Sequence, residues 1–224
     1  MSEVTITVRG EHEQRVVPEE VVAHLSVRAE GPQRNSVVER MAGLAAPLQE
    51  DLTTRKDTGG VRDWSSQRMS VWANRPWNNE GKQLALVHYA SVEISATFTD
   101  FAALSWWITD VAEREGVQVD GLTWRLTPAT AKATEAQVAA HAVQVAVDRA
   151  TAYAGAIGLT SVTPLEIADL GLLTRAPDNS APAPKMMRAM AMGVMDAGNG
   201  GPAVQFQPED IVVTAAVEAR FAAR

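Results

Sequence analysis

Apolar residues recur along this chain with two different periods. Stretches such as Val92 to Phe98 alternate apolar and polar residues, which predicts β-strands with one buried face. Other stretches repeat apolar residues every three or four positions, which predicts amphipathic helices. Pairs of strands alternate with single helices, an order typical of an α+β fold. We therefore predict an antiparallel-dominated sheet with three principal helices packed on it, in a single domain over residues 1–224.

The first half of the chain predicts two hairpins with a helix between them. Alternating residues from Val4 to Glu30 are interrupted at Gly10, where we expect the first strand to end before pairing with the second. The following helix contains Pro47, which predicts a kink or an early end. The second hairpin is expected from the strand patterns Val61 to Ala73 and Lys82 to Phe98.

The third helix consists mostly of small residues. It is expected to begin after Thr127, with Pro128 in its first turn, and to stop at Gly158. Its predicted buried side is Ala136, Ala139, Ala140, Val143, Val147, Ala150, Ala154 and Ile157. Its predicted solvated stripe is Thr134, Gln137, His141, Gln144, Asp148 and Thr151.

A segment without clear periodicity, at about residues 173–207, separates the last two strands. It is long for a connection, so we expect it to be mobile or to be ordered by a partner subunit. It contains a cluster of methionines: Met186, Met187, Met190, Met192 and Met195. Thioethers suit Cu(I), which makes these residues weak metal candidates. An oxidant-sensitive surface is a second interpretation, and we favour a third, packing or a subunit contact.

Six tryptophans are many for a chain of 224 residues. Neighbouring helical residues point about 100° apart, so Trp106 and Trp107 cannot both face inward. Tryptophan is enriched at binding hot spots. We therefore take Trp106, Trp107 and Met190 as interface candidates.

Composition and charge exclude several classes of protein. The net charge is −7 and the basic residues are scattered, so we do not expect nucleic acid as a partner. The chain has no cysteine, which excludes disulfides and thiolate metal sites. No apolar run approaches the ~20 residues of a membrane-spanning helix. We see no export signal and expect a cytoplasmic protein, unless a leader has been removed.

The sequence contains none of the catalytic or cofactor motifs that we considered. It has neither a nucleophile elbow nor a phosphate-binding glycine loop. The histidines are assigned to a turn, two strands and a helix face without metal-ligand spacing: His12, His24, His88 and His141. Acidic residues such as Glu19 and Glu20 are expected to be solvated. We therefore expect a protein that is not an enzyme and holds no cofactor.

Four stretches in one order resemble the SIMPL-domain family, which includes bacterial oxidative-stress proteins and outer-membrane immunogens. They are VTITVRGEHEQRVVPEEVVAHLSVRAEG, VHYASVEISATFTDFAALSWWITDVAEREGVQVDGLTWRL, AVDRATAYAGAIGLTSVTPLEI and FQPEDIVVTAAVEARFAA. The resemblance implies an α+β domain that self-associates, in some members into ring-like or channel-like assemblies, without established catalytic residues. It also implies a link to oxidative stress, although the missing export signal departs from most bacterial members.

Three hypotheses about function follow. The leading one is a non-enzymatic protein that assembles with itself and serves oxidative or general stress protection. The alternative is an adaptor that binds another protein through exposed tryptophans or a sheet edge. The third is an enzyme whose polar residues are too scattered for spacing to reveal.

Overall fold

The computed structural model describes residues 3–173 and 205–224. Within these ranges the chain forms three helices and seven strands in two antiparallel sheets, which confirms the predicted α+β class. In chain order the elements are β1 (Val4–Val16), β2 (Glu20–Gly31), α1 (Arg34–Asp57), β3 (Asp63–Asn74), β4 (Val87–Phe98), α2 (Phe101–Ala112), β5 (Val117–Arg125), α3 (Pro128–Ala156), β6 (Val162–Asp169) and β7 (Ile211–Ala223).

The elements form two compact units. The first unit contains β1, α3, β6 and β7, and the second contains β2 to β5 with α1 and α2. Each unit has its own cluster of buried apolar side chains. The chain therefore builds two separate cores.

The second unit is a four-stranded antiparallel sheet with the strand order β3-β4-β2-β5. The hairpin predicted over Val61 to Phe98 is confirmed as β3 and β4, although β4 begins at Val87 and not at Lys82. The hairpin predicted over Val4 to Glu30 is wrong. Both edges of β2 are occupied by β4 and β5, and β1 lies instead in the other sheet, whose order is β1-β7-β6.

Helices α1 and α2 supply the rest of the second unit's core. The apolar faces of β2 and β4 pack against them, as the alternating pattern predicted. Helix α1 continues past Pro47 to Asp57, so the early end considered for this helix does not occur. Asp100 caps α2 as predicted, because its side chain accepts hydrogen bonds from the backbone N–H groups of Ala102 and Ala103.

Helix α3 covers the sheet of the first unit through a face that agrees with the predicted one only in part: Ala150 and Ala154 are buried as predicted, and Val143 and Val147 are partly buried. The predicted buried residues Ala136, Ala139, Ala140 and Ile157 are exposed, and Thr134, predicted to be solvated, is buried. The observed buried stripe steps by four residues: Thr134, Val138, Ala142, Ala146, Ala150 and Ala154. Alanine lies on every side of this helix, so hydrophobicity alone gives little contrast between its faces.

Gly10 lies where β1 passes very close to α3. The prediction that it ends the strand is wrong, because β1 continues to Val16. A Cβ atom at this position would lie 1.9 Å from the backbone oxygen of Ala142 and 2.9 Å from the Cβ atom of Ala146. Only glycine permits a backbone approach this close within a strand. The small residues of α3 and Gly10 therefore form one tightly packed contact.

Candidate interaction surfaces

The β3–β4 hairpin ends in an ordered loop that holds a tryptophan outward. The side-chain oxygen of Asn78 accepts hydrogen bonds from the backbone N–H groups of Glu80 and Lys82, at 3.1 and 2.8 Å. Gly81 has a φ of +74°, a left-handed conformation suited to glycine in a turn. Trp77 forms an isolated bridge with Gln83, and 66% of its surface is exposed. The local hydrogen bonds therefore hold the backbone of a loop that carries an exposed aromatic side chain.

Apolar side chains are exposed along the same hairpin. We call this set the hairpin surface: Met69, Trp72, Trp77, Leu84 and Leu86. Met69 pairs with Val92 and Trp72 pairs with Tyr89 in the β3–β4 register, so the two exposed residues lie on opposite faces of the strand. The Trp72 and Tyr89 rings stack with centroids 5.4 Å apart. Neither face of the hairpin is fully covered by the described residues at this end.

The two adjacent tryptophans of α2 divide as the sequence predicted. Trp107 is 1% exposed, packs against Phe98 and donates a hydrogen bond from Nε1 to Asp51 Oδ2 at 2.7 Å. This burial excludes Trp107 as an interface anchor of the folded protein. Trp106 is 62% exposed and stays a candidate.

Strand β6 forms an apolar edge of the first unit's sheet. It pairs with β7 on one side, and no strand pairs with its other side in the part of the chain that the structure describes. Four leucine or isoleucine residues in and after β6 are about half exposed, and we call them the edge surface: Leu165, Ile167, Leu170 and Leu172. Unpaired strand edges with apolar side chains favour pairing with another chain.

The outer face of the second unit's sheet carries a polar groove, which we call the sheet groove. Its floor comes from the two central strands, where the β2–β4 register pairs His24 with Ser95, Ser26 with Glu93, and Arg28 with Ser91. Gln67 and Asp120 line it from the two flanking strands. The groove has a volume of about 450 Å³.

Hydrogen bonds hold part of the groove's wall in place. Ser26 is 1% exposed and donates to Asp120 Oδ1 at 3.2 Å. Arg28 lies 3.6 Å from the same carboxylate oxygen. On the other side, the Ser65 and Ser95 hydroxyls are 3.0 Å apart, and Gln67 donates to Ser65 at 3.1 Å.

Glu20 is a buried carboxylate that the sequence analysis wrongly expected to be solvated. It is 0% exposed and forms ion pairs with Arg62 and, at 3.0 Å, with Arg125. Arg125 also donates to the Thr97 hydroxyl at 3.3 Å. The two arginine side chains are about half exposed, so the cluster joins a buried negative charge to partly solvated positive charges. Its geometry is that of a structural ion cluster that connects β2, β4 and β5 with the residue before β3.

A family model places this architecture among known proteins. The SIMPL model, described as a protein of unknown function (DUF541), matches residues 6–221 of the 224-residue chain. The chain belongs to the SIMPL family. No curated protein sequence matches the chain. The family resemblance seen in the sequence is therefore confirmed. The matched residues include parts of both compact units.

The histidines of this SIMPL chain are not all where the sequence placed them. His12 lies in β1 and not on a turn, and its ring centroid is 4.7 Å from that of His141 on α3. His24 approaches the Thr123 hydroxyl at 3.0 Å. Within residues 3–173 and 205–224, no three acidic or histidine side chains are grouped to hold a metal ion.

The methionine cluster of this SIMPL chain lies outside the described residues, and with it the interface candidate Met190 and the metal candidates Met186, Met187, Met192 and Met195. The described ends of the 173–207 segment are both anchored. The Leu173 N–H donates to Glu218 Oε2 at 3.3 Å, and the Phe206 ring lies 6.0 Å from that of Trp124.

Among the described helices of this SIMPL chain, none is long and apolar enough to cross a membrane. Trp77 and the sheet groove are two further features that sequence reasoning missed. A tryptophan within a loop of asparagine, proline and glycine was a visible signal, because such a loop offers no strand or helix face against which the ring could be buried. The groove gave no such signal.

Proposed function

We propose that this SIMPL protein is non-enzymatic and works by self-association, in which the hairpin surface of one copy binds the edge surface of a second copy. The observation that carries this proposal is the exposure of Trp72 and Trp77 on an ordered hairpin, at 46% and 66%. Tryptophans in such positions are typical anchors of protein interfaces, because burying one ring removes a large apolar area from water.

The second surface supports another copy of the chain as the partner. The edge surface combines an unpaired strand with apolar side chains, and both surfaces are present in every molecule. A contact between two different surfaces is heterologous, so it repeats from copy to copy and produces rings or open chains. The proposal therefore accounts for two apolar surfaces with one contact.

Protection against oxidative or general stress is the setting that we propose for this assembly. Its support is the family resemblance described for the sequence. No catalytic residue is required by this proposal, because a self-assembling protein acts through its surfaces.

Light scattering coupled to size exclusion tests the assembly directly. The hairpin variant carries Trp77→Ser and Leu84→Ser, the edge variant carries Leu165→Lys and Ile167→Lys, and Trp106→Ser is the matched control for loss of an exposed tryptophan. All five side chains are at least 43% exposed, so the fold should persist. We expect an oligomer for the wild type and the control, and smaller species for both surface variants.

Mixing the two surface variants distinguishes the type of contact. The hairpin variant retains its edge surface, and the edge variant retains its hairpin surface. A heterologous contact therefore predicts a one-to-one heterodimer in the mixture and monomers of each variant alone. A hairpin-to-hairpin contact predicts instead that the edge variant still dimerises by itself. Monomeric wild-type protein at micromolar concentration would refute self-association.

The adaptor hypothesis is the second candidate, and the exposure of Trp106 favours it. A tryptophan that is 62% exposed on a regular helix is a suitable anchor for a different protein. This function predicts a monomeric wild type whose partner binding is lost in Trp106→Ser and retained in the hairpin variant. The same set of variants therefore separates the two candidates.

A further inference from the structure

The sheet groove is formed by the central strands of the second unit, where an outward face normally carries long solvated side chains. Small residues replace them here: Ser91 and Ser95 of β4 lie opposite Arg28 and His24 of β2. Because serine extends so little from the sheet, the larger neighbours become walls around a depression. The groove is thus a consequence of side-chain size at paired positions.

Two groups in the groove offer unused hydrogen-bonding capacity. Among the described residues, neither the Glu93 carboxylate nor the Ser91 hydroxyl has a hydrogen bond or ion pair, and they lie two positions apart on the same side of β4. Ser26 and Asp120 beside them are already bonded to each other. The groove therefore combines fixed polar groups with groups available to a ligand, as small-molecule sites do.

The charges of the groove restrict the ligand. Glu93 and Asp120 oppose a simple anion, while the Arg28 guanidinium opposes a compact cation. Carboxylates accept hydrogen bonds, guanidinium and amide groups donate them, and serine hydroxyls do both. An uncharged molecule with several hydroxyl groups satisfies all of these side chains at once, because each of its hydroxyls also donates and accepts.

An aromatic platform adjoins the same face. Tyr89 precedes Ser91 by two residues on β4, so the two side chains lie on one side of the strand, and Trp72 stacks on Tyr89. Aromatic rings beside hydroxyl-binding groups suit the ring of a sugar, whose one face is apolar and whose edge carries hydroxyls. We propose that the sheet groove binds a neutral carbohydrate, with Glu93 and Ser91 as hydroxyl-binding residues and Tyr89 as the stacking residue.

Glucose, N-acetylglucosamine, cellotetraose and chitotetraose are suitable probes, because they vary ring substitution and length without adding charge. Binding would be measured by isothermal titration and by saturation-transfer NMR, which works for monomers and assemblies alike. We expect at least one probe to bind with millimolar or tighter affinity. Glu93→Gln should weaken it by about tenfold because a neutral amide replaces a charged acceptor, and Ser91→Ala should do so because it removes a hydroxyl that would bind the ligand.

Glu39→Gln is the matched control, because Glu39 is an exposed glutamate of α1, which packs on the other face of the sheet. It should bind the probe like the wild type. Absence of binding for all four probes at about 10 mM would overturn the proposal. So would binding that Glu93→Gln and Ser91→Ala leave unchanged while both variants keep the wild-type circular dichroism spectrum. The titrations report on the groove and light scattering reports on the oligomeric state, so this result does not decide the proposed self-association.

Discussion

Replacing Gly10 by alanine should destabilise the first unit, because the added methyl group would overlap helix α3. The added Cβ atom would lie 1.9 Å from the Ala142 backbone oxygen and 2.7 Å from the Ala146 backbone nitrogen. The first contact must lengthen by about 1.5 Å to become an ordinary van der Waals contact. Helix α3 would have to move away from β1 by a similar distance, which loosens its packing on the sheet.

The expected loss lies at the upper end of overpacking effects, at about 3 kcal/mol. For a protein of this size it corresponds to a decrease in Tm of roughly 6–12 °C. Chemical denaturation followed by circular dichroism gives the free energy of unfolding, and hydrogen exchange of the α3 amides locates the change. Because the closest atoms belong to the helix backbone, Ala146→Gly in the Gly10→Ala background should restore only part of the loss.

Gly155→Ala, in helix α3, is the matched control for adding one methyl group to a glycine. A Cβ atom there meets nothing within 4 Å, and alanine in a helix is favoured over glycine, so this variant should gain up to about 1 kcal/mol. The reasoning would be refuted if Gly10→Ala unfolded within about 0.5 kcal/mol of the wild type. Equal losses in both variants would likewise show that contact with β1 is not the cause.

Three further predictions concern the second unit. Trp107→Ala should lower the free energy of unfolding by about 3–5 kcal/mol, whereas Trp106→Ala should change it by less than about 0.5 kcal/mol. Equal denaturant midpoints for the two variants would contradict the assignment of Trp107 to the core and Trp106 to the surface. Glu20→Gln should cost about 2 kcal/mol in the same assay, because it removes the charge from ion pairs with two arginines. An unchanged midpoint would argue against the ion cluster. The hydrogen bond from Lys56, the backbone N–H of Trp64 and the Lys56 charge lower the pKa of Asp63 below its ordinary value of 3.8. This interaction stabilises the fold above that ordinary pKa, and the stabilisation is lost as the pH falls through the folded pKa. Lys56→Met should therefore raise the Asp63 pKa in a carboxyl NMR titration. An unchanged Asp63 pKa would exclude Lys56 as the main cause.

Local signals in the sequence predicted local structure well. Asp100 caps α2 as expected, and Gly158 ends α3 with a φ of +79°. The adjacent Trp106 and Trp107 divide between solvent and core because helical geometry separates neighbours by about 100°. In each case the residues that determine the structure lie within one turn of each other, so the local sequence is sufficient to predict it.

Contacts between distant residues were the ones that the sequence could not show. Glu20 reads as a solvated charge at the start of a strand, yet Arg125 pairs with it from 105 positions away. Gly10 reads as the end of a strand, because nothing near it in the sequence reveals that α3 will approach. Alanine on all sides of α3 concealed its buried face for a related reason, since the face is selected by the sheet it covers.

The sheet groove shows how a distant contact can still be fixed by a local pattern. Alternation along β2 and β4 puts Leu25 and Ile94 in the core, and their pairing sets the antiparallel register of the two strands. A shift of one residue would turn Glu93 into the core and Ile94 outward, so burial strongly disfavours it. The same register necessarily brings Ser26 opposite Glu93 on the outer face. The groove therefore follows from the core packing, and it becomes visible only when the partner of each strand is known.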